Sequence, residues 1–319
     1  METPRSKRAR VMDEEDRISD LPDELRRHVL SFLPARDAVR TSMLSPKWRH
    51  LWASQSSFVK FVNALLITRD YVPMESFWLR ANGPDICLED FSDTVCLWIC
   101  HALRSNVEEL GVIEHDCNDT SERVEYTEFF RLQHYPLTSS YLKKLHLCYV
   151  YISNQFLKTL FSGCPALEDL EMINCDIFYT DFTSATLKSL SIDYVHFPNP
   201  SIYDDLDYDI VINMPSLVSL HIGALLGGAT LSLVDMQSLA TASIYLDAFT
   251  YSDGCTILSA LSNVKKLELL FPHGVLQVAF ANLTSLSLSD WCLIDNCKAL
   301  LYLLEHAPKL EQFTLVMTK

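Results

Sequence analysis

No run of apolar residues in this chain of 319 is long enough to cross a bilayer, and the amino-terminal METPRSKRARVMDEED lacks the apolar core of a secretory signal. An intracellular protein, nuclear or cytoplasmic and without a membrane partner, is therefore expected. Paired zinc ligands are missing too. The ten cysteines are scattered, and the nearest pairs, Cys96/Cys100 and Cys292/Cys297, have no second pair to complete a tetrahedral site. They read as reduced, mostly buried thiols. No histidines show H-E-x-x-H spacing, no serine sits in a nucleophile elbow, and Gly227-Gly228 has none of the spacing of a phosphate loop. Asp205, Asp207 and Asp209 alternate as in a calcium loop, but Ile210 stands where that loop needs glycine and no glutamate closes it. Asn118 and Asn282 begin glycosylation sequons that a chain without a signal would never expose to the machinery. A non-catalytic protein without a cofactor is expected.

Positive charge is also scarce, and unevenly so. Residues 1–52 hold 11 Lys and Arg against 9 Asp and Glu, whereas residues 53–319 hold 15 against 32, a balance of +2 and −17. A body this acidic repels phosphate backbones and anionic lipid, which argues against nucleic acid and for a protein partner. The cluster Lys7, Arg8 and Arg10 is compatible with nuclear import or with a solvated tail, and residues 1–16 read as a disordered tail. With 49% hydrophobic residues the remainder can bury a large core.

What is present begins with a short helical cassette, ISDLPDELRRHVLSFLPARDAVRTSMLSPKWRHLW, over residues 18–52. Pro22 suits a first helical turn, and Asp23 and Glu24 favour the positive end of the helix dipole. Leu21, Leu25, Val29, Phe32 and Leu33 form one stripe until Pro34 stops the helix, and a second helix starts near Arg36. Ser45 is a natural N-cap ahead of Pro46, after which Trp48, Leu51 and Trp52 recur on one face. Three short helices cannot bury this apolar surface among themselves, so the rest of the chain or a partner must cover it.

The opening LPDEL, the run VLSFLP and the closing S-x-x-W-R-x-L-W of Ser45, Trp48, Arg49, Leu51 and Trp52 resemble the F-box, with Pro46 where relatives usually carry a basic residue. The F-box is the module by which substrate receptors hang on a Skp-type adaptor and, through it, a cullin. The resemblance implies a three-helix F-box domain at 17–58. It assigns adaptor binding to Leu21, Pro22, Leu25, Val29, Leu30, Phe32, Leu33, Val39, Leu44, Trp48, Leu51 and Trp52, without sorting internal core from contact face.

Beyond residue 100 the phrase L-x-x-L-x-L returns. Strict copies are Leu142/Leu145/Leu147, Leu167/Leu170/Met172, Leu187/Leu190/Ile192, Leu217/Leu220/Ile222 and Leu283/Leu286/Leu288. Looser ones are Val107/Leu110/Val112, Leu239/Ala242/Ile244, Val264/Leu267/Leu269 and Leu310/Phe313/Leu315, at steps of 19 to 35 residues. Pro165, Pro215 and Pro308 each stand two residues ahead of a copy, where a proline ends the preceding segment. Amphipathic helices are predicted at 153–161, 253–261 and 295–305, and another around 93–103, so that strand then helix is the expected unit. Residues 101–319 resemble the irregular leucine-rich repeats that follow F-boxes in many plant proteins. That implies an α/β solenoid of short parallel strands lining a concave face, with helices and loops outside. The family's Asn/Cys ladder is matched by Cys175, while Val150, Trp291 and His115 hold that place in other copies. Residues 59–100 read as a junction or first repeat-like segment, with Phe61, Leu65, Phe77 and Trp78 welding it to its neighbours. An ordinary leucine-rich α/β domain is the competing reading.

Strand alternation puts Lys144, His146, Asp169, Glu171, Ser189, Ser191, Asp193, Ser219, His221, Lys266, Glu268, Ser285, Ser287, Gln312 and Thr314 on one face, the candidate surface for an unknown target protein. A merely solvated sheet face would alternate in the same way. The resemblance thus implies the substrate-recognition subunit of an SCF-type cullin-RING E3 ubiquitin ligase. A non-degradative scaffold would bind the adaptor without target turnover, and a ligand-assisted sensor would bind its target only with a small molecule present. Relatives of this type often carry a further C-terminal module, so a short form or a fragment is compatible with the open last strand.

Overall fold

The computed structural model describes residues 21, 22, 25, 55–68, 73–81, 92–114, 130–132, 137–178, 181–193, 195–196, 208–223, 225–226, 229–245, 251–270, 278–289 and 297–317. The chain divides into two compact units, residues 1–71 and 72–319. In the first, the Leu25 N–H donates to the Pro22 carbonyl at 3.0 Å, closing one turn. The Leu25 side chain is half exposed. Helix α1 (Gln55–Thr68) ends the unit, burying Leu66 and exposing Leu65. The other helical turns expected in the cassette lie outside the described residues.

The second unit is built on a ten-stranded parallel sheet. Its strands, in spatial order, are β1 (Ser76–Arg80), β2 (Glu109–Ile113), β4 (Lys144–Cys148), β6 (Asp169–Ile173), β9 (Ser189–Asp193), β12 (Ser219–Ile222), β15 (Thr241–Tyr245), β16 (Lys266–Leu270), β17 (Ser285–Ser289) and β18 (Gln312–Val316). All nine copies of the repeated phrase supply a strand, the looser four included. The sheet starts at residue 76, inside the stretch 59–100 left as a junction or first repeat-like segment. Phe77 and Trp78 belong to that strand.

The phrase works because its three apolar positions all face inward. Leu142, Leu145 and Leu147 are buried, as are Leu167, Leu170 and Met172 and the corresponding residues through Leu283, Leu286 and Leu288. Burying each such side chain is worth about 1.5–3 kcal/mol. The last copy differs: Phe313 and Leu315 are 43% and 37% exposed, because β18 pairs only with β17.

Each copy opens with a tight turn that swings the first leucine inward. The Leu167, Leu217 and Leu310 N–H groups donate to the carbonyls of Cys164, Met214 and Ala307 at 3.0, 3.0 and 3.1 Å. Pro165, Pro215 and Pro308 therefore occupy the second position of a four-residue turn, where a fixed φ is favourable. Without proline, Leu239, Val264 and Leu283 still donate to the carbonyls of Met236, Leu261 and Phe280, and in two copies a serine hydroxyl takes the carbonyl's part. Ser139 Oγ accepts from Leu142 N at 3.3 Å, and Ser184 Oγ accepts from Leu187 N, also at 3.3 Å.

At the strand entrances one carbonyl accepts two consecutive N–H groups of the next repeat. Glu75 serves Glu108 and Glu109, Glu108 serves Lys143 and Lys144, and the pattern runs on to Thr284, which serves Glu311 and Gln312. The entrance side chains add exposed ion pairs, Lys143 to Glu108 at 2.8 Å and Lys188 to Glu168 at 2.7 Å. Pairs this exposed are screened by solvent and contribute little to stability.

The opposite layer corrects the expected strand-then-helix unit. Helices do back the ends of the sheet: α2 (Ser92–Arg104), α3 (Asn154–Gly163), α4 (Tyr251–Ala260) and α5 (Lys298–Glu305). Ser153 caps α3 by accepting from Phe156 N at 3.2 Å, and Phe156, Leu157 and Leu160 pack inward. The middle repeats instead return through strands. A five-stranded parallel sheet joins β13 (Leu225–Leu226), β10 (Val195–His196), β7 (Asp176–Phe178), β5 (Val150–Ser153) and β3 (Phe130–Arg131). A three-stranded one joins β14 (Ala229–Val234), β11 (Tyr208–Asn213) and β8 (Asp181–Thr183). From β6 to β15 the chain visits the three sheets in strict rotation, a three-sided coil. The physical reason lies in sequences such as Asp-Ile-Val-Ile-Asn at 209–213, which alternate with period two and bury Ile210 and Ile212.

Among the described residues the cysteines follow expectation except at Cys148. Cys96, Cys164 and Cys175 are buried thiols, and Cys100 and Cys297 are half-buried ones. Cys148 is disulfide-bonded, which overturns the reading of every cysteine as reduced. Cys175 takes the ladder role read for it: fully buried, its Sγ lies 3.5 Å from the Leu147 carbonyl and 3.4 Å from that of Ile173. Burial pushes this thiol up to about 12.

Candidate functional site

Parallel pairing with matched register converts strand alternation into three straight rows across the polar face of the large sheet. The entrance row runs Ser76, Glu109, Lys144, Asp169, Ser189, Ser219, Thr241, Lys266, Ser285, Gln312. The central row runs Trp78, Gly111, His146, Glu171, Ser191, His221, Ser243, Glu268, Ser287, Thr314. A third row holds Arg80, Ile113, Cys148, Ile173 and Asp193. Every residue expected on this face is there. Lys144, His146, Asp169, Glu171, Ser189, Ser191, Asp193, His221 and Glu268 lie on five strands, β4, β6, β9, β12 and β16, with one common orientation.

The face has two chemical zones. From β9 onward the two complete rows are mostly Ser and Thr, short side chains that leave the backbone approachable, with Ser243 Oγ donating to Glu268 Oε2 at 3.0 Å. Over β1 to β6 the rows carry an aromatic and charged cluster. His146 Nδ1 lies 2.8 Å from Glu171 Oε2, and its Nε2 lies 3.9 Å from Glu109 Oε1. The hydrogen bond to Glu171 raises the His146 pKa, against partial burial, and the charges of Glu171, Asp169 and Glu109 add to the rise. The same bond lowers Glu171, and His146 and His221 add to that fall. The pair thus favours the imidazolium–carboxylate form.

Three residues of this cluster, Glu109, Trp78 and Arg80, escaped the sequence reading as face residues. Trp78 reaches across the neighbouring strand to stack on His146, with ring centroids 5.0 Å apart and planes 25° apart. The Arg80 guanidinium sits 4.9 Å from the centroid of the same indole. Gly111 makes this possible: a Cβ there would lie 2.7 Å from indole Cδ2 and closer still to Cε3 and Cζ3. Asp193 leans in the same way over Gly223, where a Cβ would meet its carboxylate. The signal for Trp78 was available in the alternation Ser76/Trp78/Arg80 against Phe77/Leu79, with a glycine at the matching place one strand later.

Of the residues assigned to adaptor docking, only Leu21, Pro22 and Leu25 are described. Pro22 and Leu25 are exposed and Leu21 is half-buried. Val29, Leu30, Phe32, Leu33, Val39, Leu44, Trp48, Leu51 and Trp52 lie outside the described residues. Among the described residues no group of three His, Cys, Asp or Glu side chains could hold a metal ion, and no helix is long and apolar enough to cross a membrane.

Comparison with known proteins covers both units. Residues 18–60 match the F-box domain model, and residues 98–241 match the model for the LRR repeats of FBD-associated F-box protein At5g56370. The Arabidopsis thaliana F-box/FBD/LRR-repeat protein At4g26340 is 28% identical over 94% of this chain and 77% of its own length. F-box/FBD/LRR-repeat protein At4g00160 from the same plant is 29% identical over 98% and 74%. F-box/LRR-repeat protein At4g14096, also from Arabidopsis thaliana, is 31% identical over 72% and 54%. With an F-box match at residues 18–60 ahead of an LRR-repeat match at 98–241 that falls on a parallel leucine-rich sheet, the chain belongs to the plant-type F-box/LRR protein family.

Proposed function

We propose that the protein is the non-catalytic substrate-recognition subunit of an SCF-type cullin-RING E3 ubiquitin ligase, acting inside the cell in nucleus or cytoplasm. The F-box holds a Skp-type adaptor and, through it, a cullin, while the polar face of the large sheet receives a target protein. The observation that carries this reading is the F-box match at residues 18–60 ahead of a repeat sheet that presents ten strands' worth of aligned polar side chains. Exposed Pro22 and Leu25 fit a docking stripe seeking cover. The F-box domain at 17–58 and the repeat domain from 101 onward divide the labour, and a rigid connection would fix where a bound target stands relative to the ligase's catalytic arm.

Co-purification of the full chain with a Skp-type adaptor and cullin tests this. Capture by the wild type is expected, with loss in a Leu21→Ala, Pro22→Ala double variant whose circular dichroism is unchanged. Failure of the wild type to capture the adaptor refutes the receptor role.

A further inference from the structure

We infer that the β1–β6 end of the polar face is the anchor point for the target, and that the target presents a lysine- or arginine-bearing segment there. The inference rests on the receptor reading above and deepens it by naming the partner's chemistry. Three observations carry it. First, Trp78 offers a large ring that is 36% exposed and held in place by Gly111 below and His146 beside it. A preorganised exposed aromatic is the residue type that anchors interfaces. Second, that ring already accepts a cation, the Arg80 guanidinium, so its environment suits cation–π contact.

Third, the charge is complementary. On β1 to β9 this face carries Glu109, Asp169, Glu171 and Asp193 against Arg80, Lys144 and the imidazolium form of His146. Lys144 stands in register between Glu109 and Asp169, and Arg80 is taken up by the indole. The side chains of Glu109 and Glu171 remain 33% and 38% exposed, Glu171 while paired with His146. A cationic segment would find a net negative charge beside an aromatic platform, whereas an acidic one would meet repulsion from this cluster and from the acidic body. The serine and threonine zone beyond β9 would let the rest of the segment lie close to the sheet.

The test uses the full chain, with and without a Skp-type adaptor added, and three fluorescent dodecapeptides of alternating charged residue and serine, carrying lysine, acetyl-lysine or glutamate. Anisotropy titrations at low salt should show binding of the lysine peptide alone. Trp78→Ala and Glu171→Gln should each weaken it about fivefold or more, with Glu305→Gln, an exposed carboxylate removed from the sheet face, unchanged. Glu171→Gln keeps the side-chain shape, so it serves if Trp78→Ala fails to fold. Equal binding of the acetylated or acidic peptide overturns the inference, as does an equal loss on Glu305→Gln. No lysine-peptide binding while adaptor capture persists overturns the anchor and leaves the receptor reading standing. The peptide pattern without adaptor capture does the reverse.

Discussion

Replacing Gly111 by alanine places a methyl group inside the volume of the Trp78 indole, 2.7 Å from Cδ2 and nearer to two further ring carbons, where real contacts never fall below 3.0 Å. The backbone at Gly111 lies in the ordinary strand region, so alanine itself is tolerated and would by its lower unfolded-state entropy stabilise by about 0.5–1 kcal/mol. Against that, the indole must swing off the sheet. It forfeits its stack on His146, about 0.5–1.5 kcal/mol, and the overpacking strain adds about 1–3 kcal/mol. The net expectation is a loss of about 0.5–4 kcal/mol, read as a lower urea midpoint with unchanged slope. The decisive comparison is a double-mutant cycle: in a Trp78→Ala background the same Gly111→Ala change should cost nothing or stabilise slightly. An equal cost with and without the indole would refute the account of Gly111 as the seat of Trp78.

Three other outcomes are expected. The His146–Glu171 pair should stabilise the fold within a window of pH. Raised His146 contributes fully below its ordinary 6.5 and loses the contribution as pH rises through its higher folded value. Lowered Glu171 contributes above its ordinary 4.5 and loses it as pH falls through its lower folded value. The stability gap between wild type and His146→Gln should therefore peak between those two values, and a gap that grows above neutral pH would contradict the pairing. Thiol labelling should separate Cys175 from Cys297. Half-buried Cys297 reacts in the native state, while Cys175, buried and pushed up to about 12, reacts only as fast as the structure opens. Leu170→Ala, in the middle of the inward row, should cost about 2–5 kcal/mol in chemical unfolding, and a loss under 1 kcal/mol would show that the core relaxes around it.

The large sheet was legible because its inward positions are leucine-rich at a fixed three-then-two spacing, and even Val107/Leu110/Val112 and Val264/Leu267/Leu269 obey it. Its first strand was not, since Ser-Phe-Trp-Leu-Arg lacks the lead-in residue and its tryptophan sits on the polar side. The polar rows followed from alternation alone, but the cluster within them did not. The meeting of Trp78, His146 and Glu171 depends on register between strands some 25 to 70 residues apart, and on a glycine whose role only the neighbouring strand reveals. The strand-built middle of the opposite layer was missed for a different reason. Segments such as Asp176–Phe178 and Asp181–Thr183 are three residues each, too short for a periodicity to be measured. The docking stripe of the F-box was carried by motif spacing, and its geometry falls mostly outside the described residues.

The paired N–H donors at each strand entrance bind through main-chain atoms only, and the residues there are as unlike as Glu108, Lys143, Val218, Ala240 and Thr284. Neighbouring repeats are thus fastened by a device indifferent to side-chain identity, while the leucines beneath settle the packing. Side chains on the polar rows take almost no part in either task. Recognition can therefore be rewritten row by row at small thermodynamic risk. A lineage could exchange targets by substitution on this face without first having to find a new fold, with Gly111, Gly223, Cys148 and the His146–Glu171 pair among the places where such freedom stops.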